Sequence, residues 1–155
     1  MLRFEFSTPP QILSESPPME FAPNIDFRDS VPEDLDALEA FLAPFVEGKY
    51  LLQRTRDELA TLLKHGFVAY SGSAIVGFAA VEIYSRKLAE IQALAVAPAF
   101  QRQGIGHRLV QLCVERASRE RVVELMAITA SDHLFMDCGF DYSLPNQKRA
   151  VFINP

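Results

Sequence analysis

The sequence predicts an α/β fold, a mixed central sheet with elements in the order β-α-α-β-β-β-α-β-α-β. Three observations predict it. Short apolar runs of strand length alternate with amphipathic stretches of helical period. Ser71-Gly72-Ser73 separates two of those runs as a hairpin turn does. The run Ile91 to Val96 passes through Pro98 and a glycine-bearing loop into a long amphipathic stretch. That joins a strand to a helix and brings the next strand back parallel.

The elements follow in order. Residues 1–23 hold five of the ten prolines (Pro9, Pro10, Pro17, Pro18, Pro23) and read as an extended arm ahead of a folded domain over 24–155. Leu2, Phe4 and Phe6 alternate within the arm as a short strand would. Ile25 to Arg28 is a first strand. Ser30-Val31-Pro32-Glu33 reads as a capping box with Ser30 at the N-cap, opening a helix with Leu35, Leu38, Leu42 and Phe45 on one face. That helix ends between Pro44 and Gly48. Thr55-Arg56-Asp57-Glu58 is a second capping box, for a short helix carrying Leu59, Leu62 and Leu63 and ended by Gly66. Phe67 to Tyr70 and Ala74 to Tyr84 form the hairpin, and Glu90 to Val96 the next strand. A helix from about His107 places Leu109, Val110, Cys113, Val114 and Ala117 inward, with Arg108, Gln111, Glu115 and Arg119 outward. A strand over Val122 to Ile128, a short helix from Ser131 to Cys138 and a last strand over about Lys148 to Ile153 complete the chain.

Composition narrows the function. At 155 residues, 49% hydrophobic and 23% charged, the chain is one ordinary globular domain with a sizeable core. A net charge of −5 argues against nucleic-acid binding as its main task, which rests on clustered Lys and Arg. The longest apolar run, Ala74 to Val81, falls far short of the ~20 residues that span a bilayer. The first residues lack the apolar core of a signal peptide, so no cleaved leader is expected. Cys113 and Cys138 are spaced neither as a zinc site nor as a redox pair, and two isolated thiols suit a reducing cytoplasm. His65, His107 and His133 show no metal-ligand spacing, so no metal is expected.

The richest stretch is Gln101-Arg102-Gln103-Gly104-Ile105-Gly106-His107, between a buried strand and a helix start. Unpaired backbone N–H groups and the helix dipole there suit a phosphate, and glycines let the backbone come close to it. A dinucleotide fingerprint would need Gly where Gln101 stands, and a Walker loop would need Lys-Ser/Thr where His107-Arg108 stand. The stretch resembles the Gln/Arg-x-x-Gly-x-Gly/Ala acetyl-CoA signature of the GCN5-related N-acetyltransferases. Cys138-Gly139-Phe140 falls about where that family ends its last helix with Gly-Phe.

The resemblance implies the family's fold, with helices on both faces of the sheet, and acetyl-CoA as cofactor. It implies that residues 101–107 hold the pyrophosphate. Backbone groups of Leu94, Ala95 and Val96 would pair with the pantetheine arm where the fourth and fifth strands splay, and a backbone N–H there would meet the thioester oxygen. Acetyl transfer also needs a base for the amine. Glu90 heads an otherwise apolar strand, and burial raises a carboxylate's proton affinity. Ala89-Glu90-Ile91 before Ala95-Val96 also matches the segment that bears the catalytic glutamate in the histone-acetylating branch. Glu82 on the neighbouring strand is the reserve candidate. Many members place a tyrosine four residues before the Gly of Gly-Phe as a general acid; Phe135 stands there, and no general acid is assigned.

For the acceptor, Gly48-Lys49-Tyr50-Leu51-Leu52-Gln53-Arg54-Thr55-Arg56 resembles the loop of N-acetylglutamate synthases in which a Leu-x-Arg run meets glutamate. Ala79-Ala80, Ile128-Thr129, Phe135 and Leu144-Pro145 before Lys148 agree in order, so the resemblance covers about residues 25–152. It implies substrate contacts from Leu52, Arg54 and Lys148. Guanidinium groups suit a substrate with two carboxylates. The expected partner is a small-molecule amine, foremost the α-amine of L-glutamate at the start of arginine synthesis, with no nucleic acid and no membrane. Rival expectations are another small amine, a protein terminus, or a silent acyl-CoA-binding module. Members of the family often dimerise through terminal strands, so a homodimer is compatible with the resemblance.

Overall fold

The computed structural model describes residues 24–142 together with 151, 153 and 154. The proline-rich arm, Lys148 and most of the last expected strand lie outside the described residues. Val151 and Ile153 of that strand are described; both are exposed and neither is in a strand.

The described elements are β1 (Ile25–Asp29), α1 (Leu35–Glu47), α2 (Arg56–Leu62), β2 (Gly66–Ser71), β3 (Ala74–Ile83), β4 (Leu88–Val96), α3 (Ile105–Arg119), β5 (Glu124–Met126) and α4 (Asp132–Asp137). They form one five-stranded sheet in chain order, antiparallel through β4, with β5 parallel to β4. The expected α/β order therefore holds through its ninth element. β5 is three residues long, where the apolar run suggested seven; Val123 and Ile128 are exposed beside it.

Strand alternation distributes the core between two faces. Val68, Phe78, Ala80, Ala93 and Ala95 pack with Leu38 and Leu42 of α1 and Leu59 and Leu62 of α2. Phe67, Ala69, Ala79, Val81, Ala89 and Ile91 pack with Ile105, Leu109, Val110, Cys113 and Ala117 of α3 and Phe135 of α4. Phe67 and Phe78 are among the largest fully buried side chains, each contributing roughly 2–3 kcal/mol by leaving water. Gly77 sits under α3, where a Cβ would come 3.1 Å from both Ile105 Cγ2 and Leu109 Cδ1. A side chain there would need these neighbours to give by a few tenths of an ångström.

Two local expectations are corrected. Ser30 is not the cap of α1. Its hydroxyl turns inward and donates to the Leu63 carbonyl at 2.8 Å, linking β1 to the end of α2. The carboxylate of Asp34 instead accepts the Val31 N–H at 2.8 Å, closing the turn before α1, while Arg28 grips both oxygens at 2.7 and 2.8 Å. A 3-10 turn over Pro32–Asp34 thus precedes α1. Val114, expected inward, is exposed; the buried stripe of α3 passes through Cys113 and Ala117. The second capping box forms as expected, with Glu58 N–H to Thr55 Oγ1 at 3.2 Å and Thr55 N–H to Glu58 at 2.7 Å.

Candidate active site

Two breaks in the sheet create the site. Pairing of β4 with β5 covers Leu88↔Glu124, Ala89↔Leu125 and Glu90↔Met126. Past Glu90 the two strands part, so Ile91 to Val96 has no strand partner on that side among the described residues. The second break is a bulge. Phe78 pairs with Ala95 and Ala80 with Gln92, so Ala93 and Leu94 together oppose Ala79, and Ala93 takes φ +55°. The bulge changes which residues share a face. Ala93 and Ala95 join the α1/α2 side, while Leu94 and Val96 pack toward α3.

After β4 the chain makes a one-turn 3-10 segment (Pro98–Phe100) and reaches α3 through Gln101–Gly104. Gln101 folds back, its side-chain amide donating to the Val96 carbonyl at 3.0 Å, and braces the loop on the strand. Gln103 reaches the Ala99 carbonyl at 3.5 Å. Arg102 (φ +61°) and Gly104 (φ +84°) both adopt left-handed backbone, which suits glycine at 104 and strains the residue at 102. The first backbone bond of α3 runs from Arg108 N–H to Gly104 O at 3.0 Å, so the N–H groups of Ile105, Gly106 and His107 precede the helical ladder. The Ile105 side chain is buried in the core, which leaves only its backbone to serve the loop. A Cβ on Gly106 would come 3.2 Å from Leu134 Cδ2, so this glycine lets α4 close on the loop. His107 Nδ1 is buried with no hydrogen-bond partner among the described residues.

On the α1/α2 face, the strand order places Glu82 directly opposite Glu90. Glu90 is 8% exposed. Tyr84, just past β3, donates its hydroxyl to Glu90 Oε2 at 2.6 Å and accepts from the Gln92 side-chain amide at 3.2 Å. Gln92 Oε1 accepts from Arg54 Nη2, and Arg54 Nη1 reaches back to the Leu52 carbonyl at 3.2 Å. Burial, first, and then the bond to Glu90 push the Tyr84 phenol up to about 12, so it remains a proton donor at neutral pH. A cleft of ≈ 420 Å³ lies beside Arg54, lined also by Leu42, Leu51, Leu52 and Leu59 and by Glu39 and Glu47. Phe135 is buried and meets Phe140 edge-on at 5.4 Å, a core packing role with no polar atom to offer.

The structure therefore brings Leu52, Arg54 and Glu90 together, and it places residues 101–107 at the end of the strand that carries Glu90. Lys148 falls outside the described residues. Sequence reasoning missed Tyr84 and Gln92. Alternation held the signal: Gln92 lies two residues beyond Glu90, and Tyr84 two beyond Glu82, on strands a short turn apart.

Comparison with known proteins agrees with this geometry. Residues 33–140 match the family described as the Acetyltransferase (GNAT) family. The chain is 29% identical over 107 residues to an uncharacterized N-acetyltransferase of Chlorobaculum tepidum, covering 69% of each. It is 28% identical over 116 residues to an amino-acid acetyltransferase of Aeromonas salmonicida, covering 74% of this chain and 26% of that one. Among solved structures, a Mycobacterium tuberculosis protein in complex with CoA and NLQ superposes with a TM-score of 0.70 at 24% identity, over 77% of this chain and 73% of that one. N-acetylglutamate synthase from Neisseria gonorrhoeae, complexed with coenzyme A and N-acetyl-glutamate, gives 0.66 at 23% identity, over 74% and 27%. Among the described residues no helix is long and apolar enough to cross a membrane.

Proposed function

The chain belongs to the GNAT acetyltransferase family, and on that premise we propose that it acetylates the α-amine of an amino acid, foremost L-glutamate, as in the first step of arginine biosynthesis. Membership makes it an N-acetyltransferase that uses acetyl-CoA. The arrangement fits that cofactor: a strand edge opens beyond Glu90, and a left-handed Gly104 turns three unladdered N–H groups outward at the head of α3. Bound acetyl-CoA supplies the thioester that the amine attacks.

The roles of the chain's own residues follow. Backbone N–H groups of residues 102–107 cradle the pyrophosphate, with the dipole of α3 behind them. The Gln101 side chain braces that loop on Val96. The free backbone edge at Leu94, Ala95 and Val96 pairs with the pantetheine arm. Glu90, facing away from bulk water, takes the proton of the incoming ammonium. Leu52 and Arg54 hold the acceptor's carboxylate, and Lys148 serves its second one.

One observation carries the choice of an anionic acceptor. Five described arginines hydrogen-bond through their guanidinium groups. Arg28, Arg56, Arg108 and Arg116 each meet a carboxylate, whereas Arg54 meets only a carbonyl and an amide oxygen. Among the described residues it is held in place with no carboxylate at ion-pair distance, a position that a ligand's carboxylate can take. The names of two similar proteins, an amino-acid acetyltransferase and an N-acetylglutamate synthase, support the same reading. Glu39 and Glu47 in the adjoining cleft favour a second reading, a larger cationic amine.

Thiol release from acetyl-CoA with a panel of amino acids and polyamines tests both. Release driven by L-glutamate, with KM raised in Arg54→Ala, supports the first reading. Release driven by a polyamine and weakened by Glu47→Gln overturns it.

A further inference from the structure

The bonds joining Arg54 to Glu90 have one direction. A guanidinium has donors and no acceptor, and an ionised carboxylate has acceptors and no donor. With Arg54 at one end, Gln92 turns its Oε1 to the guanidinium and so presents its N–H to Tyr84. The phenol oxygen accepts that N–H, and its single proton goes to Glu90 at 2.6 Å rather than to Glu82 at 3.3 Å. The result is a chain of donors running Arg54, Gln92, Tyr84, Glu90, with a cation at its head and a carboxylate at its foot. Such chains polarise along their length, and bonds to charged ends are the strong ones.

Its setting argues against a purely architectural role. Tyr84 is 51% exposed and Gln92 and Arg54 are half-buried, so the chain holds little of the core together. Its foot is the least exposed of the carboxylates on this face, and its head lies in the α1–α2 loop. That loop shares no strand pairing with the sheet, so side chains make the connection.

We propose that Gln92 and Tyr84 are positioning residues that couple Arg54 to Glu90, so that what the guanidinium holds sets how the carboxylate is oriented and hydrogen-bonded. The inference rests on the roles given above to Arg54 and Glu90. An acceptor carboxylate on Arg54 draws on donors now directed at Gln92, and the change passes through two neutral groups to the base. Neither positioning residue meets the reacting atoms.

The test uses the full chain with tyrosines carrying ¹³C at Cζ, and Tyr84→Phe identifies the Tyr84 signal. Arg54→Ala is expected to shift that signal while leaving the other tyrosines in place, which also reports an intact fold. In a Gln92→Leu background the same Arg54→Ala change is expected to produce no further shift. A Tyr84 signal indifferent to Arg54, or an equal shift with Gln92 removed, overturns the proposal. With any amine the wild-type enzyme turns over, Gln92→Leu and Tyr84→Phe should lower kcat about tenfold with KM for acetyl-CoA unchanged; unaltered kcat overturns it too. The resonance measurement needs no acceptor. Failure of L-glutamate to react would thus sink the substrate reading and leave the coupling to stand or fall on its own data.

Discussion

Tyr84 faces Glu90 across the β3–β4 connection and donates its phenolic proton to the carboxylate at 2.6 Å. The pairing holds the carboxylate in one orientation on a face that α1 and α2 shield. If Glu90 takes the amine's proton, Glu90→Gln keeps the shape and removes the acceptor of that proton. The expected outcome is a fall in kcat of about 10²–10⁴-fold, with KM for acetyl-CoA unchanged, measured by thiol release.

The role proposed for Arg54 is read first in KM. If Arg54 holds the acceptor's carboxylate as proposed, Arg54→Ala removes charge-assisted bonds to it, of which one contributes about 1.5–3 kcal/mol. That corresponds to roughly 10–100-fold in KM for L-glutamate, with a smaller change in KM for acetyl-CoA. Gln92→Glu tests the same charge from inside: a resident carboxylate on Arg54 should compete with the substrate's and raise KM in the same direction. Steady-state titration of each substrate distinguishes these effects.

Asp34 predicts a pH-dependent stability. The Arg28 hydrogen bonds, aided by the Val31 N–H and opposed by burial, hold its carboxyl below the ordinary 3.8. A lowered folded-state value means the contribution is complete above the ordinary value and is lost as pH falls through the lowered one. Asp34→Asn should therefore cost about 1–3 kcal/mol at neutral pH, and the gap to wild type should narrow at an acid pH well below the ordinary 3.8. Urea unfolding at the two pH values measures both.

The two thiols should differ sharply. Burial pushes Cys113 up to about 12, inside the α3 core. Cys138 is also raised, chiefly by burial, but is partly exposed at the end of α4. A disulfide reagent at about pH 8 should label Cys138 in the native protein and reach Cys113 only once denaturant opens the core. Mass spectrometry of the labelled chain locates each adduct.

Much of this was legible in the chain because periodicity reports burial. The hairpin, both core faces of the sheet and the loop ahead of α3 all follow from the placement of apolar residues and glycines. Ser30 misled because its spacing to Glu33 mimics a cap, while the bond it makes lies 33 positions away at Leu63. No local pattern reports such a partner. β5 was overestimated because Val123 and Ile128 are apolar yet exposed. Tyr84 and Gln92 escaped notice because a tyrosine at a strand end and a glutamine within a strand are ordinary. Only the register, which sets Ala80 opposite Gln92 and Glu82 opposite Glu90, brings them between Arg54 and Glu90.

Arg116 carries a consequence for the far side of the molecule. Its guanidinium lies 5.0 Å above the Phe67 ring, binds Asp29 at 2.6 Å and reaches the Lys64 carbonyl at 3.4 Å. α3 is thereby moored near its C-terminal end to β1, β2 and the turn between α2 and β2. The mooring lies about 18 Å along the helix from Gly104. The opposite end of the same helix is held by the buried Ile105 and Leu109 and begins at the proposed pyrophosphate cradle, so one rigid rod joins the two. Asp29→Ala, a change on the outer strand, removes one of the contacts that seat this helix, and a titration of coenzyme A affinity is expected to register it without any group near the cofactor being touched. Sequence drift at a remote surface pair could then tune how tightly the enzyme holds its donor.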